Sequence, residues 1–167
     1  EAYLRQLAWD GLSARLREIS SRGDKIASSE EEMYRKRLER ELEIIRECGA
    51  STYFVVAWDY IRYARERGIP VGPGRGSAPG SLLAYALRLT DIDPTRFGLH
   101  FERFLNPIRN RVPEIDFDFC RDRRDEVVRY LMGKYGGDNV AGVSIFGVLR
   151  GSKAIETVGR ILELPEA

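Results

Sequence analysis

Apolar residues recur every three or four positions over the first third of the chain, which is the spacing of helices with one buried face. The pattern predicts a helix over residues 2–20, a second from Ser28 to Gly49, and a third over about residues 52–67. Ser28 and Glu31 have the spacing of a capping box, and Gly49 suits the left-handed position after a helix. The chain is therefore expected to begin with three amphipathic helices.

The pattern changes after residue 68, where glycines and prolines separate short apolar segments. The predicted elements are strands at residues 69–71, 112–119 and 139–145, and helices at residues 81–89, 99–105, 121–135 and 151–162. Helices followed by mixed short elements indicate an α/β (α+β) fold with a small mixed sheet. We therefore expect a helical lead-in region over residues 1–68 and a second unit over residues 69–167.

The most distinctive segment of that second unit alternates acidic and apolar residues from Pro113 to Phe119. Alternate side chains of a strand share a face, so Glu114, Asp116 and Asp118 are expected on one face and the apolar residues in the core. Three neighbouring carboxylates repel one another unless a cation binds, and oxygen ligands favour a hard ion such as Mg²⁺. The alternative is a solvated acidic face with no ligand.

A glycine-rich loop, Gly72 to Ser77, precedes the acidic segment. Glycines let backbone N–H groups form a concave site for anions, and the helix that follows could turn its positive end to a phosphate. Arg75 would add a permanently charged donor. The loop lacks the spacing of a Walker motif, so the alternative is a tight turn between two elements. Together, a phosphate site and a metal site are the arrangement that a nucleotidyltransferase needs.

Composition narrows the classes of protein. With 43% hydrophobic and 32% charged residues the chain suits a globular domain, and no apolar run is long enough to span a membrane. The net charge of +1 gives no general attraction for nucleic acid. Cys48 and Cys120 lack metal-type spacing and suit a reducing cytoplasm, and His100 alone disfavours histidine-based zinc sites or triads.

Several motifs occur in a fixed order along nearly the whole chain. They are Val71–Ala78, Ala84–Leu87, Thr90–Pro94, Phe101–Pro107, Pro113–Phe119, Lys153–Ala154 and Val158–Arg160. In this order they resemble the C-family DNA polymerases, the alpha-subunit family of bacterial DNA polymerase III. The resemblance implies that residues 69–167 are the first half of a palm similar to the nucleotidyltransferase fold of polymerase beta.

The resemblance also implies an activity, which is primer extension by phosphoryl transfer with two Mg²⁺ ions. It assigns metal binding and catalysis to Glu114, Asp116 and Asp118, triphosphate binding to Gly74, Arg75, Gly76, Ser77 and Arg103, and candidate DNA contacts to Arg124 and Lys153. For the last two, a solvated helix face is the alternative. A further catalytic Asp and a Lys are expected beyond residue 167, so the chain is expected to be an inactive piece of a longer enzyme.

The expected partners follow from the same resemblance. They are primer-template DNA, deoxynucleoside triphosphates and, through regions mostly outside this chain, the sliding clamp, the proofreading exonuclease and the clamp loader. The expected location is the bacterial cytoplasm, at the nucleoid, with no membrane partner.

Two positions depart from the family pattern. Glu114 stands where the family has Asp, and Pro79 stands where it has a small residue. Motif position favours Glu114 and Asp116 as the metal pair, with Asp118 in support, and the alternative pair is Asp116 and Asp118. The longer Glu114 side chain is the only support for one alternative, a divergent error-prone paralogue. A second alternative is a catalytically degenerate module that only binds nucleotides or DNA.

Overall fold

Helices form most of the regular structure in the computed structural model, which describes residues 1–23, 26–107, 113–143, 147 and 150–163. The helices are α1 (Ala2–Ser21), α2 (Ser28–Glu47), α3 (Ser51–Glu66), α4 (Leu82–Ala86), α5 (Arg124–Tyr135) and α6 (Gly151–Ile161). Short 3-10 turns lie at Ala78–Gly80, Phe101–Arg103 and Gly137–Asn139. Among the described residues, no helix is both long and apolar enough to cross a membrane.

The three N-terminal helices predicted from the apolar spacing are confirmed. Gly49 has a φ of +67°, the left-handed conformation expected after α2. The predicted cap of α2 is wrong by one residue, because the Glu30 carboxylate accepts a 2.9 Å hydrogen bond from the Ala27 N–H. The pair Ser28 and Glu31 therefore lies inside the helix rather than at its cap.

Helix α4 is the centre of the core, although it has only five residues. Each of its residues is 7% exposed or less, and α1 and α2 pack on it. Gly11 lies where α1 crosses α4, and a Cβ atom at this position would be 2.3 Å from the Ala86 carbonyl oxygen. The close approach of the two helices therefore requires glycine at position 11.

Buried charges link these helices to the segments that follow them. Arg15 on α1 is 6% exposed and donates hydrogen bonds to the carbonyls of Tyr85 and Thr90 at 3.0 and 2.9 Å. Arg15 also pairs with Asp91 at 2.9 Å. A polar side chain in a core is stable only when its donors are bonded, so these contacts fix the turn after α4 against α1.

Asp59 performs a similar role between α3 and α5. Its buried carboxylate accepts hydrogen bonds from Tyr130, Tyr135 and Lys134 at 2.7, 2.9 and 2.6 Å. Burial alone would raise the pKa of Asp59, but the bonds from Lys134 and the two tyrosines outweigh burial and lower it. The Tyr63 and Tyr130 rings stack 3.8 Å apart beside this cluster. The pairing of α3 with α5 is therefore both polar and aromatic.

The predicted α/β (α+β) fold with a small mixed sheet is wrong for the described residues, which contain no strand and no sheet. Residues 113–119 are extended, but their only β pairing in the described chain is one antiparallel bridge between Val71 and Phe119. Pro70, next to the bridge, has no N–H to donate to Cys120, so the pairing cannot continue on that side, and on the other side the Pro73 carbonyl bonds to Thr90 and Asp91 instead. The helical core forms without a sheet.

Other predicted elements also differ. Residues 139–143 form no strand, and the rest of the strand predicted at 139–145 lies outside the described residues, as does Val112. The helix predicted at 81–89 is shorter, and Arg88 after it has a φ of +60°. The helix predicted at 99–105 is reduced to a 3-10 turn. The division of the chain at residue 68 stays a prediction.

Candidate active site

The acidic segment, residues 113–119, lies on the surface of the helical core. Glu114, Asp116 and Asp118 are exposed, and the apolar residues that alternate with them are half-buried against the core, so the predicted alternation is confirmed. Phe117 packs edge-on against Tyr60, with their ring centroids 5.4 Å apart. The aromatic contacts therefore determine which way the carboxylates point.

Tyr53 on α3 anchors the same segment at its backbone. Its hydroxyl oxygen accepts a 2.9 Å hydrogen bond from the Ile115 N–H. Burial raises the pKa of the Tyr53 hydroxyl, and the nearby charges of Glu114 and Asp116 raise it further. Tyr53 therefore keeps its proton at neutral pH. Its hydroxyl oxygen accepts the hydrogen bond from the Ile115 N–H that a neighbouring strand would accept in a sheet.

The glycine loop, residues 72–77, begins beside the acidic segment. The Gly72 N–H donates a 2.8 Å hydrogen bond to the Asp118 carbonyl. At the other side of the loop, the Pro73 carbonyl accepts bonds from the Thr90 hydroxyl and the Asp91 N–H at 2.7 and 2.8 Å. Gly74 has a φ of +110°, and a Cβ atom there would be 2.4 Å from the Thr90 hydroxyl oxygen. The loop is thus fixed to two separate segments and requires glycine.

The N-terminus of α4 does not face a phosphate site, contrary to the expectation from the sequence. The buried Glu41 carboxylate accepts hydrogen bonds of 3.0 Å from the N–H groups of Leu82 and Leu83 and from the Ser81 hydroxyl. Arg37 pairs with Glu41 at 3.0 Å and donates to the Gly80 carbonyl at 2.8 Å. The donors that a phosphate would need at this helix are therefore already bonded.

Arg75 joins the glycine loop to the acidic segment. Its Nε atom lies 3.2 and 3.1 Å from the two carboxylate oxygens of Asp118, and its Nη1 atom lies 3.0 Å from Asp116 Oδ2. The side chains of Arg75, Asp116 and Asp118 are 54%, 57% and 62% exposed. Two predicted elements of one active site, the loop and the carboxylates, are therefore in direct contact on an accessible surface.

The three carboxylates differ in their contacts. Glu114 makes no ion pair with another described residue, while Asp116 and Asp118 share one guanidinium. Among the described residues, no group of three His, Cys, Asp or Glu side chains is arranged to hold a metal ion. The donor chemistry nevertheless fits Mg²⁺, because carboxylate oxygens are its preferred protein ligands and these are open to solvent. The cationic partner that is present at Asp116 also shows that positive charge is favoured there.

The other predicted site residues do not take part in the contact of Arg75 with Asp116 and Asp118. Arg103 is exposed in the turn Phe101–Arg103 and makes no ion pair with a described residue. Arg124, at the first position of α5, is likewise exposed and makes no such pair. Lys153 on α6 pairs with Glu156 at 3.0 Å. Gly76 lies closer, since a Cβ atom there would be 3.6 Å from Asp116 Oδ2. Ser77 precedes the turn that leads to α4.

A surface pocket beside the turn Phe101–Arg103 is a poorer candidate for the site. It is lined by Lys36, Arg37, Arg40, Glu41, Leu99, His100, Phe101 and Glu102. Its cations already have partners, because Lys36, Arg37 and Arg40 pair with Glu32, Glu41 and Glu102. The pocket has neither an acidic segment nor a glycine loop, so the contact of Arg75 with the acidic segment is the stronger candidate.

Sequence reasoning missed Glu41 and Asp59, the buried carboxylates that bond to the start of α4 and to α5. Both could have been suspected, since each is a charged residue on the apolar face of its helix. Glu41 is flanked by Leu38, Leu42 and Ile45, and Asp59 by Ala57 and Ile61, all of them buried. A charge at such a position must have a buried partner.

Comparison with known proteins assigns the chain to a family. Residues 2–167 match the family model described as the bacterial DNA polymerase III alpha NTPase domain. The DNA polymerase III subunit alpha of Aquifex aeolicus is 47% identical over 165 residues, 99% of this chain and 14% of the relative. The subunit alpha of Helicobacter pylori (strain J99) is 50% identical over 140 residues, 84% of this chain and 12% of the relative.

The chain belongs to the bacterial DNA polymerase III alpha family. A third relative, from Escherichia coli O157:H7, is 42% identical over 165 residues, 99% of this chain and 14% of the relative. The chain thus spans between 12% and 14% of the length of these DNA polymerase III alpha subunits. The family resemblance predicted from the order of motifs is confirmed.

Proposed function

We propose that this chain forms part of the catalytic region of a DNA-directed DNA polymerase, which adds deoxynucleotides to a primer 3′ end during bacterial DNA replication. One observation carries the proposal: Arg75 of the glycine loop contacts Asp116 of the acidic segment at 3.0 Å. Polymerisation needs a triphosphate site next to a metal site, and this contact supports their adjacency. Family membership supports the choice of DNA polymerisation over other nucleotidyl transfer.

In this proposal the carboxylates bind the metal ions and the glycine loop binds the triphosphate. Glu114 and Asp116 would hold Mg²⁺, and two bound ions would stabilise the charge on the attacking and leaving oxygens. The carboxylates of this segment are exposed, so a cation can reach them from solvent. Residues 69–167 would contribute this site to the catalytic palm of the polymerase, with the boundary at residue 68.

The loop residues would bind and orient the triphosphate. Gly74, Gly76 and Ser77 are the neighbours of Arg75 in this loop, and the two glycines have no side chain of their own that could cover their backbone N–H groups. Arg75 and Arg103 would neutralise phosphate oxygens, since both guanidinium groups are exposed. A fixed loop holds its donors in place before the substrate arrives, so little reorganisation is needed on binding.

Several partners are included in the proposal. Primer-template DNA would contact Arg124 and Lys153, which are both exposed, and phosphate contacts of this kind position a duplex without reading its sequence. Other replisome subunits would bind the longer polymerase mainly outside this chain. The cytoplasm at the nucleoid is the proposed location.

The test is primer extension by a full-length polymerase that carries this chain with Asp116→Asn. We expect kcat to fall by about a hundredfold or more, because a metal ligand is replaced by a weaker one. Asp10→Asn is the matched control, since Asp10 is an exposed carboxylate on α1, away from the loop. Equal activity of the Asp116→Asn variant and the control would contradict the proposal.

A further inference from the structure

Asp118 is bonded to the glycine loop through both its side chain and its backbone. Both of its oxygens accept from Arg75 Nε, at 3.2 and 3.1 Å. Its own backbone carbonyl accepts from the Gly72 N–H at 2.8 Å. A Cβ atom on Gly72 would lie 3.2 Å from Asp118 Cβ, so the loop backbone packs directly on this residue. Asp118 therefore holds the loop at its start and at its arginine.

Asp116 and Glu114 are placed differently with respect to the same arginine. Asp116 reaches it through one oxygen, which lies 3.0 Å from Nη1, and Glu114 makes no ion pair among the described residues. One guanidinium carries one positive charge, so it can compensate one carboxylate fully. Asp118 contacts Nε through both oxygens and Asp116 contacts Nη1 through only one, so one positive charge faces three carboxylates and a net negative charge remains to attract a cation.

We propose that Asp118 is a positioning residue that holds Arg75 for the incoming triphosphate, and that it is not a ligand of a catalytic metal. The inference rests on the proposed function and refines it. It assigns different roles to the three carboxylates: Glu114 and Asp116 would bind metal, and Asp118 would position the arginine that binds the nucleotide.

The geometry explains how this positioning would help. An arginine side chain has many rotamers, and fixing one of them before the substrate binds removes an entropic cost from binding. Attachment through Nε restrains the guanidinium plane, while Nη2, which contacts no described carboxylate, remains able to donate to phosphate oxygens. The 54% exposure of Arg75 leaves that side of the group open.

The experiment compares Asp118→Asn with Asp116→Asn in the full-length polymerase. We expect Asp118→Asn to raise the KM for the deoxynucleotide roughly three- to tenfold, as for loss of an exposed charged pair, with kcat within about twofold of wild type. Mn²⁺, followed by electron paramagnetic resonance without nucleotide, serves as the metal probe. Its affinity should be unchanged by Asp118→Asn and lowered by Asp116→Asn.

A double-mutant cycle with Arg75→Gln separates positioning from a general structural effect. If Asp118 acts through Arg75, Asp118→Asn should raise KM in the wild type but cause no further rise in the Arg75→Gln background. Additive increases in KM would overturn the inference. Circular dichroism spectra and thermal midpoints of all variants check that the fold is retained, which the exposure of both side chains leads us to expect.

The remaining outcomes separate this inference from the proposed function. A fall in Mn²⁺ affinity for Asp118→Asn as large as that for Asp116→Asn would make Asp118 a metal ligand. That result overturns the positioning role and leaves the polymerase proposal standing. If Asp116→Asn changed neither Mn²⁺ affinity nor primer extension, the proposed function would fail and the role of Asp118 with it.

Discussion

Two regions of the molecule use the same kinds of charged side chain in opposite settings. In the core, Glu41 is 1% exposed and its carboxylate is surrounded by donors, whereas Asp116 and Asp118 on the acidic segment are more than half exposed. A buried carboxylate with bonded donors fixes a backbone, because each broken bond would leave a group without water or partner. An exposed one can exchange its partner for a ligand. The buried carboxylate therefore fixes the backbone at the start of α4, and the exposed carboxylates stay available for binding.

The largest effect on stability is expected for Glu41→Ala, which tests the role of the buried carboxylate. The substitution leaves Arg37 and the donors of Ser81, Leu82 and Leu83 without their acceptor, so we expect a loss of about 3–5 kcal/mol in the free energy of unfolding. Urea denaturation followed by circular dichroism measures it. Glu43→Ala on the exposed face of the same helix is the control and should cost less than about 0.5 kcal/mol. Similar losses for both variants would refute the assigned role of Glu41.

The second test concerns pH and Asp59. Because its pKa is lowered in the folded chain, Asp59 contributes stability that is fully present above its ordinary pKa of about 3.9 and is lost as the pH falls below it. We expect Asp59→Asn to cost about 1–3 kcal/mol at neutral pH and progressively less towards pH 3. Urea denaturation at several pH values would show this convergence. A cost that does not change with pH would contradict it.

The smallest expected effect on stability is that of Arg75→Gln. Its two ion pairs are exposed, so their loss should change the free energy of unfolding by less than about 1 kcal/mol, and added salt should reduce even that difference. The same denaturation measurement at low and high salt checks it. A loss as large as that of Glu41→Ala would mean that Arg75 belongs to the fixed core rather than to the binding surface.

The sequence was sufficient to predict the parts of the fold that depend on local spacing. The apolar repeat of α1, α2 and α3 and the left-handed Gly49 each follow from nearby residues. The sheet was predicted wrongly because alternation in the acidic segment suits any extended segment with one buried face. Whether such a segment joins a sheet depends on its partner, and here the partner pairs at one bridge only, with Pro70 on one side of it and with Pro73 bonded to Thr90 and Asp91 on the other.

The candidate site shows the same division. Alternation correctly predicted that the carboxylates share the exposed face, and glycine content marked the loop. The contact of Arg75 with Asp116 and Asp118 depends on the left-handed turns of the loop and on its attachment to Thr90, which are tertiary features. The hydrogen bond between the Glu41 carboxylate and the Leu82 N–H is also a tertiary feature, because these two residues are 41 positions apart in the sequence.

The crossing of α1 over α4 at Gly11 also bears on the order in which the chain acquires its structure. Arg15 on α1 bonds the carbonyls of Tyr85 and Thr90, which follow it by 70 and 75 positions. Contacts between distant segments form slowly, because a long loop must first close. During synthesis, about half of this chain must therefore be made before α1 can pack on α4. The glycine loop, attached to Thr90, is expected to become ordered only after that event.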